Sequence, residues 1–337
     1  MAAYTTIDDP EAYFQTVIYT GNGSANNAIT LPGDTDMQPD LVWIKNRDAT
    51  DSHCIFDSVR GVTKLLSSDN YNAEATDADT LDSFASDGFQ VDADVKVNTN
   101  TEKYAAWCWK ESATAGFDIV AYTGNGSAGL EVSHSLSAVP HFMIFKDRTD
   151  GTTNNWYVYQ HKNTSAPEDL KIRLDTTHAT SDDSTFLNDT APTNSVFTLG
   201  DGGNVNTNTD TYIAYLWTEK QGFSKFGSYT GNENADGPFV YTGFRPAFVI
   251  LKLASAGTEN WYVFDSKRDT SNPLTQILYP NLNNAEVDGT TNIDFLSNGF
   301  KLRNAGDFLN DSGEDHIYMA FAEAPLVNSE GVPCNAR

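Results

Sequence analysis

The sequence predicts an all-β protein built as three tandem antiparallel β-sandwich repeats of jelly-roll or lectin-like form, and three observations lead to that class. Short apolar runs rich in aromatic and β-branched residues alternate with clusters of Asn, Asp, Ser, Thr and Gly, the pattern of strands joined by polar turns. No long stripe of 3.6-residue period with capping residues marks a helix. Three landmarks also recur in one register at intervals of about a hundred residues.

The first landmark, Tyr19-Thr20-Gly21-Asn22-Gly23-Ser24, returns as Tyr122-Thr123-Gly124-Asn125-Gly126-Ser127 and as Tyr229-Thr230-Gly231-Asn232. The second is Pro39 ahead of Leu41-Val42-Trp43-Ile44-Lys45; it returns as Pro140 ahead of Phe142 to Lys146, and as Pro246 ahead of Phe248 to Lys252. The third closes each unit: Tyr104-Ala105-Ala106-Trp107, Tyr212-Ile213-Ala214-Tyr215 and Tyr318-Met319-Ala320-Phe321. Repeats of about 20–50 residues share a core by stacking, whereas a unit of about a hundred residues can hold its own. The chain accordingly divides into an N-terminal arm (1–13), repeats over 14–112, 113–219 and 220–324, and a C-terminal arm (325–337).

The middle unit shows the elements in order. Residues 116–122 alternate apolar with small or polar residues and stop at Thr-Gly-Asn-Gly, a strand ending in a turn. Phe142-Met143-Ile144-Phe145 is a continuous apolar run, which predicts a strand buried on both faces. Trp156-Tyr157-Val158-Tyr159, Lys171-Ile172-Arg173-Leu174 and residues 195–199 follow, and 212–217 closes the unit. Trp261-Tyr262-Val263-Phe264 and His53-Cys54-Ile55-Phe56 hold the place of Trp156 to Tyr159 in the other units. The linkers 110–115 and 218–221 are short, so the units are expected to pack on one another.

Composition excludes several function classes. Acidic residues number 46 against 21 basic, a formal charge of −25 and a pI near 4.3, which repels nucleic acid and anionic lipid. No segment approaches the ~20 apolar residues of a membrane span, and the N-terminus lacks the basic and apolar regions of a secretory signal. Cys54, Cys108 and Cys334 are an odd set without motif spacing, which predicts synthesis in a reducing cytoplasm and no disulfide framework.

Motifs that carry chemistry elsewhere fail or stay ambiguous here. The Tyr-Thr-Gly-Asn-Gly turns lack the Lys-Ser or Lys-Thr of a phosphate loop and read as glycine and asparagine supplying positive φ. Gly-x-Ser-x-Gly around Ser127 fails at Asn125, and no histidine recurs in register across the units. Asp92, Asp94, Asp201 and Asp210 lie in acidic and amide loops that could hold calcium; solvated turns explain them as well, and Val97 stands where an EF-hand needs glycine. The six tryptophans read as core or inter-unit packing ahead of sugar platforms. Asp57 with Arg60 and Asp265 with Arg268 read as local pairs closing a strand.

The phrase from Gly222 to Asn232, continuing over Gly243-Phe244-Arg245-Pro246, resembles a repeat domain of tail and virion structural proteins of tailed phages, marine and cyanophage-like ones in particular. The endings Tyr104 to Lys110 and Ile317 to Pro325 are similar to the same family, and the resemblance covers nearly the whole chain. It implies a bacteriophage virion structural protein, made in the bacterial host cytoplasm, that acts without catalysis as a tail fibre, receptor-binding or surface adhesion component. Capsid decoration or a head fibre is the alternative, and a glycan depolymerase is the rival from another class. The carboxylates Glu168, Asp169, Asp182 and Asp183 are where the rival is sought first. The implied partners are other phage virion proteins and a host surface glycan or receptor. Three linked sandwiches could form a homo-oligomer or a pseudo-trimeric monomer on a shell, with the first 13 residues as an anchoring arm. No cofactor is implied beyond calcium.

Overall fold

The computed structural model describes residues 3–152 and 154–334; strand makes up 42% and helix 6%, which fixes the class as all-β with antiparallel sheets. Three large sheets share one strand order. In the first, Phe14–Thr20, Lys103–Trp109, Leu41–Asn46 and Cys54–Asp57 lie side by side. The second repeats it with Phe117–Thr123, Thr211–Trp217, Phe142–Asp147 and Tyr157–Gln160, then adds Leu170–Arg173 and Ser181–Asp182. The third runs Ser224–Thr230, Asp315–Pro325, Phe244–Leu253 and Trp261–Asp265. Each large sheet carries a smaller outer one, beginning with Asn27–Ile29, Leu130–Ser133 and Phe239–Tyr241 respectively.

Alternation along the strands explains how these layers pack, because successive side chains leave a strand on opposite faces. In Leu41–Asn46, Leu41 and Trp43 enter one apolar cluster while Val42 and Ile44 enter another. Phe142 and Ile144 part from Met143 and Phe145 in the same way, as Phe248 and Ile250 part from Val249 and Leu251. The second set in each case packs under its own outer sheet. The first set, from all three large sheets, forms a single central cluster that takes in all six tryptophans. Each unit therefore has a private core on one face and a common core on the other. At about 1.5–3 kcal/mol for each large side chain removed from water, the common core is a main source of stability.

Polar contacts close the three sheets into a ring. Trp156 Nε1 donates to Ser67 O (2.9 Å) and Asn70 O (3.1 Å) of the first unit, and Trp261 Nε1 donates to Arg173 O (2.8 Å) of the second. At the equivalent position, His53 accepts from Trp43 Nε1 at Nδ1 (2.9 Å), so its proton sits on Nε2 and is donated to Tyr279 O (2.9 Å) of the third. Lys45, Lys146 and Lys252 are fully buried at matching strand ends. Lys146 Nζ reaches back to Tyr71 O (2.9 Å) and Lys252 Nζ to Thr177 O (3.0 Å).

The structure corrects one alignment. Tyr19 faces Tyr104 and Tyr122 faces Tyr212, each pair stacked, but Tyr229 faces and stacks on His316, not Tyr318. The third closing landmark is therefore His316-Ile317-Tyr318-Met319, two residues earlier than the tyrosine pattern suggests. A slip of two leaves every side chain on its original face, so alternation cannot detect it.

Residues 3–13 pack as part of this body: Ile7 sits in the central cluster at 2% exposure, and Tyr4 Oη donates to Gly243 O (2.7 Å). Leu326 N–H donates to the same carbonyl (3.3 Å), and Asp8 accepts from Ser329 N (2.6 Å), so the chain's two ends meet on the third unit. Residues 1, 2 and 335–337 of the two expected arms lie outside the described residues.

Candidate functional site

The repeated turns are clamps. Gly21, Gly124 and Gly231 do not owe their place to positive φ: a Cβ there would collide with the carbonyls of Thr99, Thr207 and Asp311. Positive φ falls two residues later, at Gly23, Gly126 and Glu233. The acidic and amide stretches, read from sequence as solvated loops, are four-residue helices that end in a fully buried asparagine. Asn98, Asn206 and Asn310 each accept, at 2.8 Å, the backbone N–H of the turn asparagine, Asn22, Asn125 and Asn232. Their amides donate back to the same turns, so each opening strand is pinned to its closing strand.

The calcium candidates separate between units. Asp94 caps the helix Val95–Asn98 through Lys96 N and pairs with Lys96 Nζ (2.9 Å), which occupies its carboxylate, while Asp92 lies two residues before it. Asp201 is exposed at the start of the equivalent loop, and Asp210 follows it, with its carboxyl raised by burial and by Asp147 and Asp150. Among the described residues no group of three or more His, Cys, Asp or Glu side chains is placed to hold a metal. Of the carboxylates sought for glycan cleavage, Asp183 caps the helix Ser184–Leu187 and pairs with Lys171, and Asp182 is exposed. Glu168 and Asp169 lie in the short helix Pro167–Asp169.

The Asp and Arg pairs do more than close a strand. Asp57 and Arg60 are ion-paired with side chains fully buried, as are Asp265 and Arg268 (2.5 Å). The carboxylates then accept from the next unit around the ring: Asp57 from Tyr215 Oη (2.7 Å) and Asp265 from Trp107 Nε1 (3.1 Å). Gln160 holds the same place in the second unit and donates to Gly227 O (2.9 Å) of the third.

The chemistry that differs between units collects at the three junctions, where a glutamate stands two residues past the matched positions Trp109, Trp217 and Phe321: Glu111, Glu219 and Glu323. Glu111 is pushed up to about 7 by burial and by its hydrogen bond with Asp118, with Asp40 nearby. Glu323 pairs with Arg245 (2.8 Å). Burial alone would raise Glu219, but His161, Lys225 (2.8 Å) and the Phe226 N–H (3.0 Å) bring it down to about 2. His141 Nδ1 accepts from Glu219 N (3.0 Å), which leaves the proton on Nε2; burial, with His161 beside it, pushes the imidazole down to about 4. A cleft of about 440 Å³ opens at this junction, bounded by His141, Glu219, Gln221, Lys225, Tyr4 and Tyr241. It lies within the ~300–1,000 Å³ range of small-ligand sites. Sequence reading missed it because Tyr4, Glu219 and Tyr241 are remote in the chain, and its one signal was a lone histidine after Pro140.

A family model described as "Domain of unknown function (DUF7483)" matches residues 9–325. Neither a curated protein nor a solved structure matches the chain at a significant level.

Proposed function

The chain belongs to the DUF7483 domain family, and from that premise we propose that it is a bacteriophage virion structural protein acting by non-catalytic binding, as a tail-fibre, receptor-binding or adhesion component. The observation that carries this reading is the closed ring. Three sheets of one strand order share one apolar core, and the groups repeated in register are spent on holding the ring together. A single family match across 9–325 fits one such module. The resemblance of 222–246 to phage tail and virion proteins supplies the particle. In the finer form of the proposal, each large sheet with its outer sheet is a jelly-roll or lectin-like sandwich.

The approximate threefold arrangement favours one second reading, capsid decoration or a head fibre, because a pseudo-trimer suits a threefold position on a shell or a trimeric fibre base. Microscopy of purified particles labelled with antibody to this chain separates the two by where the label sits, and particles without label would defeat both. Incubation with host surface polysaccharide, assayed for new reducing ends, tests the catalytic rival: released ends would overturn the non-catalytic reading.

A further inference from the structure

The repeat supplies its own control, since a surface feature that only one unit carries is not needed to build the fold. In the three outer sheets Ile29 pairs with Phe89, Val132 with Phe197 and Val240 with Phe300, which sets the correspondence. The residues on either side of these positions point outward. They are Ala28 and Thr30 in the first unit, and Glu131 and Ser133 in the second. In the third they are Phe239 and Tyr241, two large aromatic side chains that are 46% and 54% exposed. Exposing two rings on one strand face forgoes their burial, and neither sibling does so.

Tyr241 borders the junction cleft, and its ring is held in place. Tyr4 Oη donates to Gly243 O (2.7 Å), so it accepts from Tyr241 Oη (3.3 Å), which orients the Tyr241 hydroxyl. On the other side of the cleft stands His141, where the sibling units have Asp40 and Ala247. With Nδ1 occupied by Glu219 N–H, Nε2–H is the donor His141 has to offer. An oriented aromatic face opposite fixed polar groups matches a pyranose ring, which has an apolar C–H face and a rim of hydroxyls. A net charge of −25 disfavours polyanions.

We propose that this cleft binds a neutral glycan, with Tyr241 as the stacking platform, Phe239 extending it along the strand, and His141 Nε2–H as a hydrogen-bond donor. The proposal names a ligand class for the adhesive reading above and rests on it. The test is isothermal titration of the purified chain with maltohexaose, cellohexaose and chitohexaose, with hexagalacturonate as the anionic probe. At least one neutral hexasaccharide is expected to bind with a Kd of about 0.1–1 mM and hexagalacturonate more weakly. Tyr241→Ala is expected to weaken binding about two- to tenfold, the scale of one aromatic contact. Tyr241→Phe retains most of it, and Tyr71→Ala, an exposed tyrosine of the first unit, changes nothing. Circular dichroism of each variant confirms that the fold is kept. No binding of any neutral probe at about 10 mM, or wild-type affinity in Tyr241→Ala, overturns the proposal. Because the measurement needs no particle, its failure leaves the virion reading standing. A chain absent from particles that still binds the glycan would defeat only the virion reading.

Discussion

Residues 14–112 expressed alone are expected not to fold as a monomer, although they form a unit of a size that often does. The first unit presents Phe14, Leu41, Trp43, Ile55, Leu66, Trp107 and Trp109 to the common core, all at 5% exposure or less in the intact chain. Removing the other two sheets uncovers these seven side chains at about 1.5–3 kcal/mol each, which sums to roughly 10–20 kcal/mol. A whole domain is stable by only about 5–15 kcal/mol, so the private core under the outer sheet cannot offset the loss. The polar seams go as well: His53 loses Tyr279 O and Asp57 loses Tyr215 Oη. The assay combines light scattering after size exclusion, near-ultraviolet circular dichroism and urea unfolding. Expected results are no cooperative transition, or self-association that covers the apolar face again, and a single cooperative transition for the intact chain. A monomeric fragment with fixed aromatic packing and cooperative unfolding would refute the reasoning.

Three further outcomes follow from named contacts. Gly124→Ala drives a Cβ into Thr207 O and is expected to cost about 3 kcal/mol in urea unfolding, against about 1 kcal/mol for Gly61→Ala, where positive φ is the only obstacle; equal costs would sink the clamp. Glu111, raised from an ordinary 4.5 to about 7, contributes stability that is present below pH 4.5 and lost as pH rises through 7. Glu111→Gln should therefore unfold later than wild type at pH 8, by about 1–2 kcal/mol after discounting for its partial exposure, with the gap closing towards pH 4.5. Lys252 is pushed down from 10.5 to about 8 by burial, so the folded chain sheds its proton first and gains stability between those values. Wild type should gain about 3 kcal/mol on Lys252→Met between pH 7.5 and 10.5; a pH-independent difference would show the lysine to be freely hydrated.

Much of the fold was legible because local chemistry dictates it. The runs 142–145 and 171–174 became strands where their composition placed them, and the unbroken apolar stretch correctly implied two covered faces. The short helices before the closing strands were not legible, since four residues give no period and their Asp, Asn and Gly also suit turns. The cleft was least legible of all. Its walls come from residues near 4, 141, 219 and 241, and nothing local ties them together.

The sequence by itself determined the class, the strands, the turns and the three recurring units, because strand period, turn chemistry and repetition are properties of neighbours in the chain. It also showed that the strand over 142–145 must be covered on both faces. What covers the second face was decided only in three dimensions. Alternation states that Trp43, Trp156 and Trp261 must leave water, but not that they leave it together in one core. Register was decided there too: both candidate alignments of the third closing strand bury the same face, and only the stacking of Tyr229 on His316 selects one. Ring closure, with His53 reaching Tyr279 across a separation of 226 residues, depends on the shape of three finished sheets, and no stretch of sequence contains that shape.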